Sequence, residues 1–196
     1  MALHVLNKVS TKLKFLYRKI EFLSAPLRRL LCNALIQPHF DYASSAWYID
    51  LNKKYKAKLQ IMQNKCIRFC LKLDKKTHVG LNEVEKLKWL PVEERFNQSL
   101  CVSVFKFYND ICPLYLKDIF NPAEQNQIST RTSTLRLNQP LRKSNYGKKS
   151  ISFLAPSNWN SLPNVIKLLK NTNLFKHKVK EYFFQKLKLK DKNIYT

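Results

Sequence analysis

Two glycines in a chain of 196 residues are the strongest constraint on its fold. Phosphate-binding loops, dinucleotide-binding folds and tight β-hairpins all use glycine where the backbone takes a positive φ. Gly80 and Gly147 alone cannot supply these positions, which excludes a Rossmann fold, a P-loop and most β-sandwiches. Helices need no glycine in their interior, so the sequence predicts an all-α protein.

Apolar residues recur at helical spacing along most of the chain. The pattern predicts helices over 2–22, from Ser24 to a kink or end at Pro38, from Tyr55 to Phe69, from Pro91 to Phe107, and over 150–162 and 172–189. Residues 121–148 lose this period and are rich in Asn, Gln, Ser and Thr, which predicts a long extended segment. Small helical bundles are therefore expected in four parts: a basic helical region 1–76, a helical core region 77–120, an extended linker 121–149 and a C-terminal helical region 150–196.

The charge of the chain is strongly positive and unevenly distributed. Lys and Arg number 36 against 13 Asp and Glu, a formal net charge of +23. Residues 51–76 carry a net charge of +8 and residues 164–196 carry +7, whereas residues 77–120 carry −1. Separated basic blocks indicate basic faces of a folded protein. Such faces predict a polyanionic partner, either nucleic acid or an anionic membrane surface.

The sequence offers no assembled catalytic or metal site. Two-metal chemistry needs close carboxylates, but the adjacent pair Glu93 and Glu94 follows Pro91 and is interpreted as the acidic first turn of a helix. Cys66 and Cys70 share a helix face, yet tetrahedral zinc needs two further ligands and only His78 is near. These two cysteines, with Cys32, Cys101 and Cys112, are therefore predicted to be small buried hydrophobes. No metal, cofactor or small-molecule ligand is expected.

Cysteine usage and hydropathy bear on where the protein works. Five cysteines at irregular spacings do not form a disulfide framework, so a reducing compartment, nuclear or cytoplasmic, is favoured. No apolar run reaches the roughly 20 residues that cross a bilayer, and no secretory signal is recognisable. Residues 1–22 form a lysine-rich amphipathic stretch. They leave open a targeting segment, or a helical module that binds another protein or an anionic membrane surface.

Seven short blocks carry a resemblance to a known family, in the order in which that family has them. They read LLCNALIQPHFDY (30–42), AW (46–47), LQ with QNKCIR (59–68), WLPVEER (89–95), NYGKKS (145–150), WNSLP (159–163) and FK (175–176). Together they resemble the region that follows the palm in reverse transcriptases of non-LTR, LINE-type (Jockey-like) retrotransposons. The blocks are distributed along most of the chain, from residue 30 to residue 176.

The resemblance implies the thumb and post-thumb region of an RNA-directed DNA polymerase. In that family an Ala-Asp-Asp motif in the palm performs catalysis. This chain contains no Ala-Asp-Asp motif, and the C-terminal cysteine–histidine knuckle of some related elements is missing too. The implied function is therefore that of a catalytically incompetent fragment that binds nucleic acid without sequence preference. Other parts of a reverse transcriptase are possible partners.

Phosphate contacts are expected in the block that resembles the thumb. A thumb grips a template–primer duplex by its backbone, which requires positive charge on helix surfaces but no base-reading code. Basic residues interleaved with aromatic ones are compatible with the same chemistry, since aromatic rings stack on bases, but in any single cluster the aromatic residues are better interpreted as core with solvated lysines on the outer face. The predicted contacts with an RNA or RNA–DNA backbone are Arg28, Arg29, Lys53, Lys54, Lys56, Lys58, Lys65 and Arg68.

Overall fold

A computed structural model describes residues 1–113, 119–120 and 135–192, and within these ranges the chain is helical without any β-strand. The all-α prediction is confirmed. The helices are α1 (Ala2–Tyr17), α2 (Ala25–Leu31), α3 (Gln37–Asp41), α4 (Ser44–Trp47), α5 (Lys53–Leu71), α6 (Leu81–Lys86), α7 (Val92–Tyr108), α8 (Ile151–Asn160), α9 (Asn164–Lys167) and α10 (Thr172–Lys192).

The chain divides into two compact units. One is built mainly from Met1–Phe96 and the other from Asn97–Leu189. The division falls inside α7, whereas the sequence prediction placed a boundary after residue 76. That position lies between α5 and α6, well within the first unit.

The first unit is organised around α5, against which α1, α2 and α6 pack. The amphipathic stripe predicted for residues 2–22 exists, but the helix ends at Tyr17 and a 3-10 turn follows at Ile20–Phe22. The apolar face of α1 is buried in the core. Its buried residues are Ala2, Val5, Leu6, Val9, Leu13 and Leu16.

The kink predicted at Pro38 takes the form of a widened helical turn. Residues Cys32–Ile36 form a π-helix, which joins α2 to α3. A proline inside a helix lacks the N–H donor, and its ring collides with the carbonyl four residues earlier. A π turn just before Pro38 accommodates both defects without ending the helical path. Ala43 then turns the chain with a φ of 48°, so α4 is a separate helix.

The second unit packs the C-terminal half of α7 with α8 and α10. The Phe105 and Phe175 rings stack with centroids 4.2 Å apart, and Trp159 lies 5.9 Å from Phe175. All three side chains are fully buried, as are Leu100 and Val179. The helices predicted from Pro91 and over 172–189 are therefore confirmed. Glu93 and Glu94 occupy the first turn of α7, as predicted from the helix dipole.

The predicted extended segment is only partly within the described residues. Residues 121–134 lie outside them. Residues 135–146 contain no helix, and a 3-10 turn follows at Gly147–Lys149. The Asn160 side chain binds both backbone groups of Leu137 in this segment. Its oxygen accepts from the Leu137 N–H (3.1 Å), and its amide nitrogen donates to the Leu137 carbonyl (2.9 Å).

None of the helices in the described part of the chain combines the length and apolar character needed to cross a bilayer.

Candidate nucleic-acid interface

Helix α5 carries a stripe of cations along its outer side. At 100° per residue, the basic residues of this stripe lie within about 80° of one another on the helical wheel. They are Lys54, Lys58, Lys65 and Arg68 of α5, and Lys72 just after its end. From Lys54 to Lys72 the α5 stripe spans about 27 Å, since a helix rises about 1.5 Å per residue. Leu59 and Gln63, on the opposite side of the helix, are buried.

The sequence around α5 positions this stripe. Asn52 caps the helix, because its side-chain oxygen accepts a hydrogen bond from the Tyr55 N–H at 3.0 Å. Four lysines crowd the first six residues, and the first turn contains no acid to balance them or the positive end of the helix dipole. This arrangement costs folding free energy and favours an anion. Phosphate is among the anions that helix N-termini bind.

A groove between α1 and α5 adjoins the C-terminal half of the stripe. Its volume is about 410 Å³. Lys14, Lys65, Arg68 and Lys75 contribute four positive charges, and the lining contains no carboxylate. The remaining lining residues are Ser10, Leu13, Tyr17 and Met62. This α1–α5 groove therefore has an apolar floor and a cationic rim.

Several contacts fix the groove walls. The Tyr17 ring packs edge-on against Phe69 with centroids 5.0 Å apart, and its hydroxyl lies 3.5 Å from the Lys65 carbonyl. Arg68 Nε donates to the Thr77 carbonyl at 2.8 Å, which holds the loop carrying Lys75 against the end of α5. Burial raises the pKa of the Tyr17 hydroxyl above its ordinary value of 10.0. The hydroxyl is protonated at neutral pH, and it donates to the Lys65 carbonyl.

The eight predicted phosphate contacts do not share one surface. Lys54, Lys58, Lys65 and Arg68 lie together on the α5 stripe, which is the side of the helix turned away from the core. Lys53 and Lys56 fall elsewhere on the helical wheel of α5. Lys56 is half-buried, with its Nζ 4.8 Å from the centre of the Tyr48 ring. The remaining two, Arg28 and Arg29, belong to α2.

Arg28 has a structural position. It is 7% exposed, and its guanidinium donates to the Leu23 carbonyl (2.6 Å) and the Cys70 carbonyl (3.1 Å). The Cys70 thiol donates in return to the Arg28 carbonyl at 3.8 Å. A helix leaves its last carbonyls without intrahelical partners, and Arg28 supplies one for α5. We therefore leave it out of the phosphate-binding set. Arg29, its neighbour, is half-buried.

Two groove cations are absent from the predicted set. In the sequence, Lys14 belongs only to the basic N-terminal stretch 1–22, and Lys75 only to the basic block 51–76. Lys14 lies 51 positions before Lys65, so no local pattern relates the two. The sequence signal that could have identified Lys14 is its place one residue after the buried Leu13, at the edge of the apolar stripe of α1.

The polar residues that carry the family resemblance hold the first unit together. Trp89 Nε1 donates to the Asn33 side chain at 3.0 Å, and Arg95 forms a bidentate ion pair with Asp41. Gln63 donates to the Leu90 carbonyl at 2.8 Å, and the Gln60 side chain accepts from the Val92 N–H at 3.0 Å. These bonds link the blocks at 30–42, 59–68 and 89–95. Their residues serve the fold.

Ligand sets for a metal ion are not assembled: within the described residues, no three His, Cys, Asp or Glu side chains are placed to hold one. Cys32, Cys66, Cys70 and Cys101 are buried, as predicted. Cys112 is half-buried, so its prediction as a buried residue is wrong; it follows the end of α7, where fewer side chains cover it. Burial raises the thiol pKa of Cys66, and that of Cys101 to about 12.

These differences predict selective thiol labelling. In the native protein at pH 8, an aromatic disulfide reagent should modify Cys112 first. Cys101 should react far more slowly, because its side chain is fully buried and burial raises its thiol pKa to about 12, which lowers its share of reactive thiolate. Stopped-flow absorbance measures the phases. The Cys112→Ser variant should lose the fast phase, and two or more fast thiols in the unmodified chain would contradict the assignment.

The alternative role predicted for residues 1–22 meets a packing constraint. An amphipathic helix binds a membrane surface through its apolar face, and the apolar face of α1 is buried within the first unit. Membrane binding by that face would require α1 to leave α5. Leu3 and Phe15 are exposed, at 57% and 63%, but they are isolated on the outer side of the helix.

Comparisons of the chain with family models, curated proteins and solved structures found no match.

Proposed function

We propose that this protein binds the sugar–phosphate backbone of nucleic acid through the α5 stripe and the α1–α5 groove, without sequence preference and without joining nucleotides. The observation that carries the proposal is the convergence of Lys14, Lys65, Arg68 and Lys75 on one groove that no carboxylate lines. Like charges repel when they are brought together, and a polyanion relieves this cost. A chain of phosphates fits the elongated form of the stripe.

The length of the stripe matches a nucleic-acid strand. Successive phosphates of one strand are about 3.4 Å apart along the B-DNA axis. A stripe of about 27 Å therefore lies alongside about eight phosphates of one strand. Lys72 forms an exposed ion pair with Glu21 at 3.0 Å, so it contributes less than the others. Six cations remain for phosphate contacts: Lys14, Lys54, Lys58, Lys65, Arg68 and Lys75.

The family origin is part of the same proposal. The ordered blocks resemble the thumb and post-thumb region of a LINE-type reverse transcriptase, and a thumb is a helical element that grips the backbone. The chain has no Ala-Asp-Asp motif, so polymerisation by this chain is not expected. We infer that the 196 residues are the nucleic-acid-gripping part of such an enzyme and do not include the residues that perform chemistry.

A salt titration tests the proposal. Neutralising six phosphates releases counterions, so the logarithm of the binding constant should fall with the logarithm of salt concentration at a slope of about −5 on duplex DNA. Fluorescence anisotropy of a labelled 20-base-pair duplex gives the slope. The NaCl concentration runs from about 0.05 to about 0.3 M, a range that brackets the physiological ionic strength of about 0.15 M. Two unrelated duplex sequences should give the same slope and affinities within about twofold.

Two results would reject this function. The first is no binding at the lowest salt concentration, and the second is a slope near zero. Primer extension with the purified chain, deoxynucleotides and Mg²⁺ addresses the catalytic half of the proposal. No extended product is expected, and any incorporation that survives repurification would contradict it.

A further inference from the structure

The α1–α5 groove has a second chemical feature besides its charge. Beneath its cationic rim lie Leu13, Tyr17 and Met62. Leu13 is 4% exposed and the other two side chains are half-buried, so the floor is apolar and lies below the protein surface. Phosphates alone would require only the rim. An occupant that uses both parts must carry an anionic group and a flat apolar group side by side.

An unpaired nucleotide combines an anionic phosphate with the exposed flat face of a base. A base-paired nucleotide does not expose that face. In a duplex the bases face one another, and the backbone offers only phosphate and sugar to a helix surface. In a single strand the bases can turn outward and stack on aromatic side chains. The volume of about 410 Å³ lies within the range of pockets that enclose small ligands.

We propose that the α1–α5 groove holds one unpaired nucleotide of a single strand. Its base lies on Tyr17 and Met62, and the phosphates on either side of it lie on the four rim cations. The proposal rests on the proposed function and makes it more specific. The contact between Tyr17 and Phe69 holds the Tyr17 ring in place before any strand binds. Methionine adapts to flat aromatic groups, which suits Met62 to any of the four bases.

The first test uses the unmodified chain and two labelled single strands of 12 nucleotides. One has all its bases, and the other has abasic sites throughout its central six positions. The two strands carry the same number of phosphates, so their binding differs only through the bases. We expect the intact strand to bind about tenfold more tightly, the effect of stacking one base. Equal affinities would overturn the proposal.

The second test fills the groove without changing its charge. Ser10 lies in the groove lining, and Ser10→Phe places a ring where the base would lie. The matched control is Thr11→Phe, because Thr11 is exposed on α1 and does not line the groove. Ser10→Phe should weaken binding of the intact strand about tenfold, and should weaken binding of the abasic strand and a duplex much less, because the rim cations that hold their phosphates are kept. Thr11→Phe should alter none of the three. Circular dichroism verifies that both variants remain helical.

The outcomes separate the two levels of the proposal. If the chain binds none of these nucleic acids, the proposed function itself fails. If it binds all of them and Ser10→Phe weakens all three equally or none, backbone binding stands and the base-holding groove is rejected. Competition with adenosine monophosphate distinguishes a free nucleotide from a strand. A mononucleotide that binds more tightly than the 12-nucleotide strand would also overturn the proposal.

Discussion

Replacing Lys14, Lys65 and Arg68 together by glutamine is expected to weaken duplex DNA binding about 500-fold at 0.1 M salt. Each phosphate contact contributes about 0.9 to the slope of log affinity against log salt concentration. Each contact therefore strengthens binding about eightfold at 0.1 M salt compared with 1 M salt. Three contacts multiply to the stated factor. The slope itself should become less negative by about 2.7. Fluorescence anisotropy across the salt series measures both quantities.

A matched variant distinguishes the groove from net charge. Lys86, Lys106 and Lys176 are exposed and lie off the α5 stripe and the α1–α5 groove. Replacing these three by glutamine removes the same three charges, from a chain whose net charge is +23. The control should change affinity less than about tenfold, because long-range attraction between exposed charges is screened at this ionic strength. Equal losses in the two variants would show that binding depends on total charge and not on this surface.

Trp159→Ala is expected to lower the free energy of unfolding by about 3–5 kcal/mol. The Trp159 side chain is fully buried, and its ring stacks on Tyr108 with centroids 5.2 Å apart. Its indole N–H donates to the Leu135 carbonyl at 2.7 Å, which tethers the segment that precedes α8. Domains have total stabilities of about 5–15 kcal/mol, so the loss is a large share. Urea denaturation followed by circular dichroism should show the midpoint falling by about 2 M.

Two further variants test the reason for this loss. Trp159→Phe keeps most of the ring contacts but leaves the Leu135 carbonyl without its donor, and should cost about 1–2 kcal/mol. Val165→Ala removes a side chain that is 78% exposed on α9, and should cost less than about 0.5 kcal/mol. A Trp159→Ala loss as small as that of Val165→Ala would contradict the buried role assigned to the WNSLP block.

The local pattern of residues predicted the helices well. The scarcity of glycine and the apolar spacing identified α1, α5, α7, α8 and α10, because helix formation depends on neighbours three and four residues apart. The π turn before Pro38 shows the limit of such rules. Proline chemistry predicts a disturbance at this position, but whether the chain stops or widens depends on what α2 and α3 pack against.

Individual binding residues were harder to predict than helices. All eight predicted contacts are basic residues, six of them in the basic block 51–76, and their positive charge alone does not separate phosphate contacts from structural residues. Arg28 is adjacent in sequence to Arg29, yet its guanidinium is committed to two backbone carbonyls inside the unit. Helix phase separates Lys54 and Lys58 from Lys53 and Lys56. That phase can be calculated from the sequence, and the apolar spacing from Tyr55 to Phe69 already indicates the core side of α5, so this part of the selection did not require the folded structure.

The sequence alone established the helical fold, the positive charge and the absence of an Ala-Asp-Asp motif, since each depends on composition or on residues close together in the chain. The α1–α5 groove required the folded structure. Lys14 and Lys65 belong to different helices, and only the packing of α1 on α5 brings their charges to one apolar floor. Long-range packing of this kind depends on many weak contacts acting together, and no single stretch of the chain encodes it.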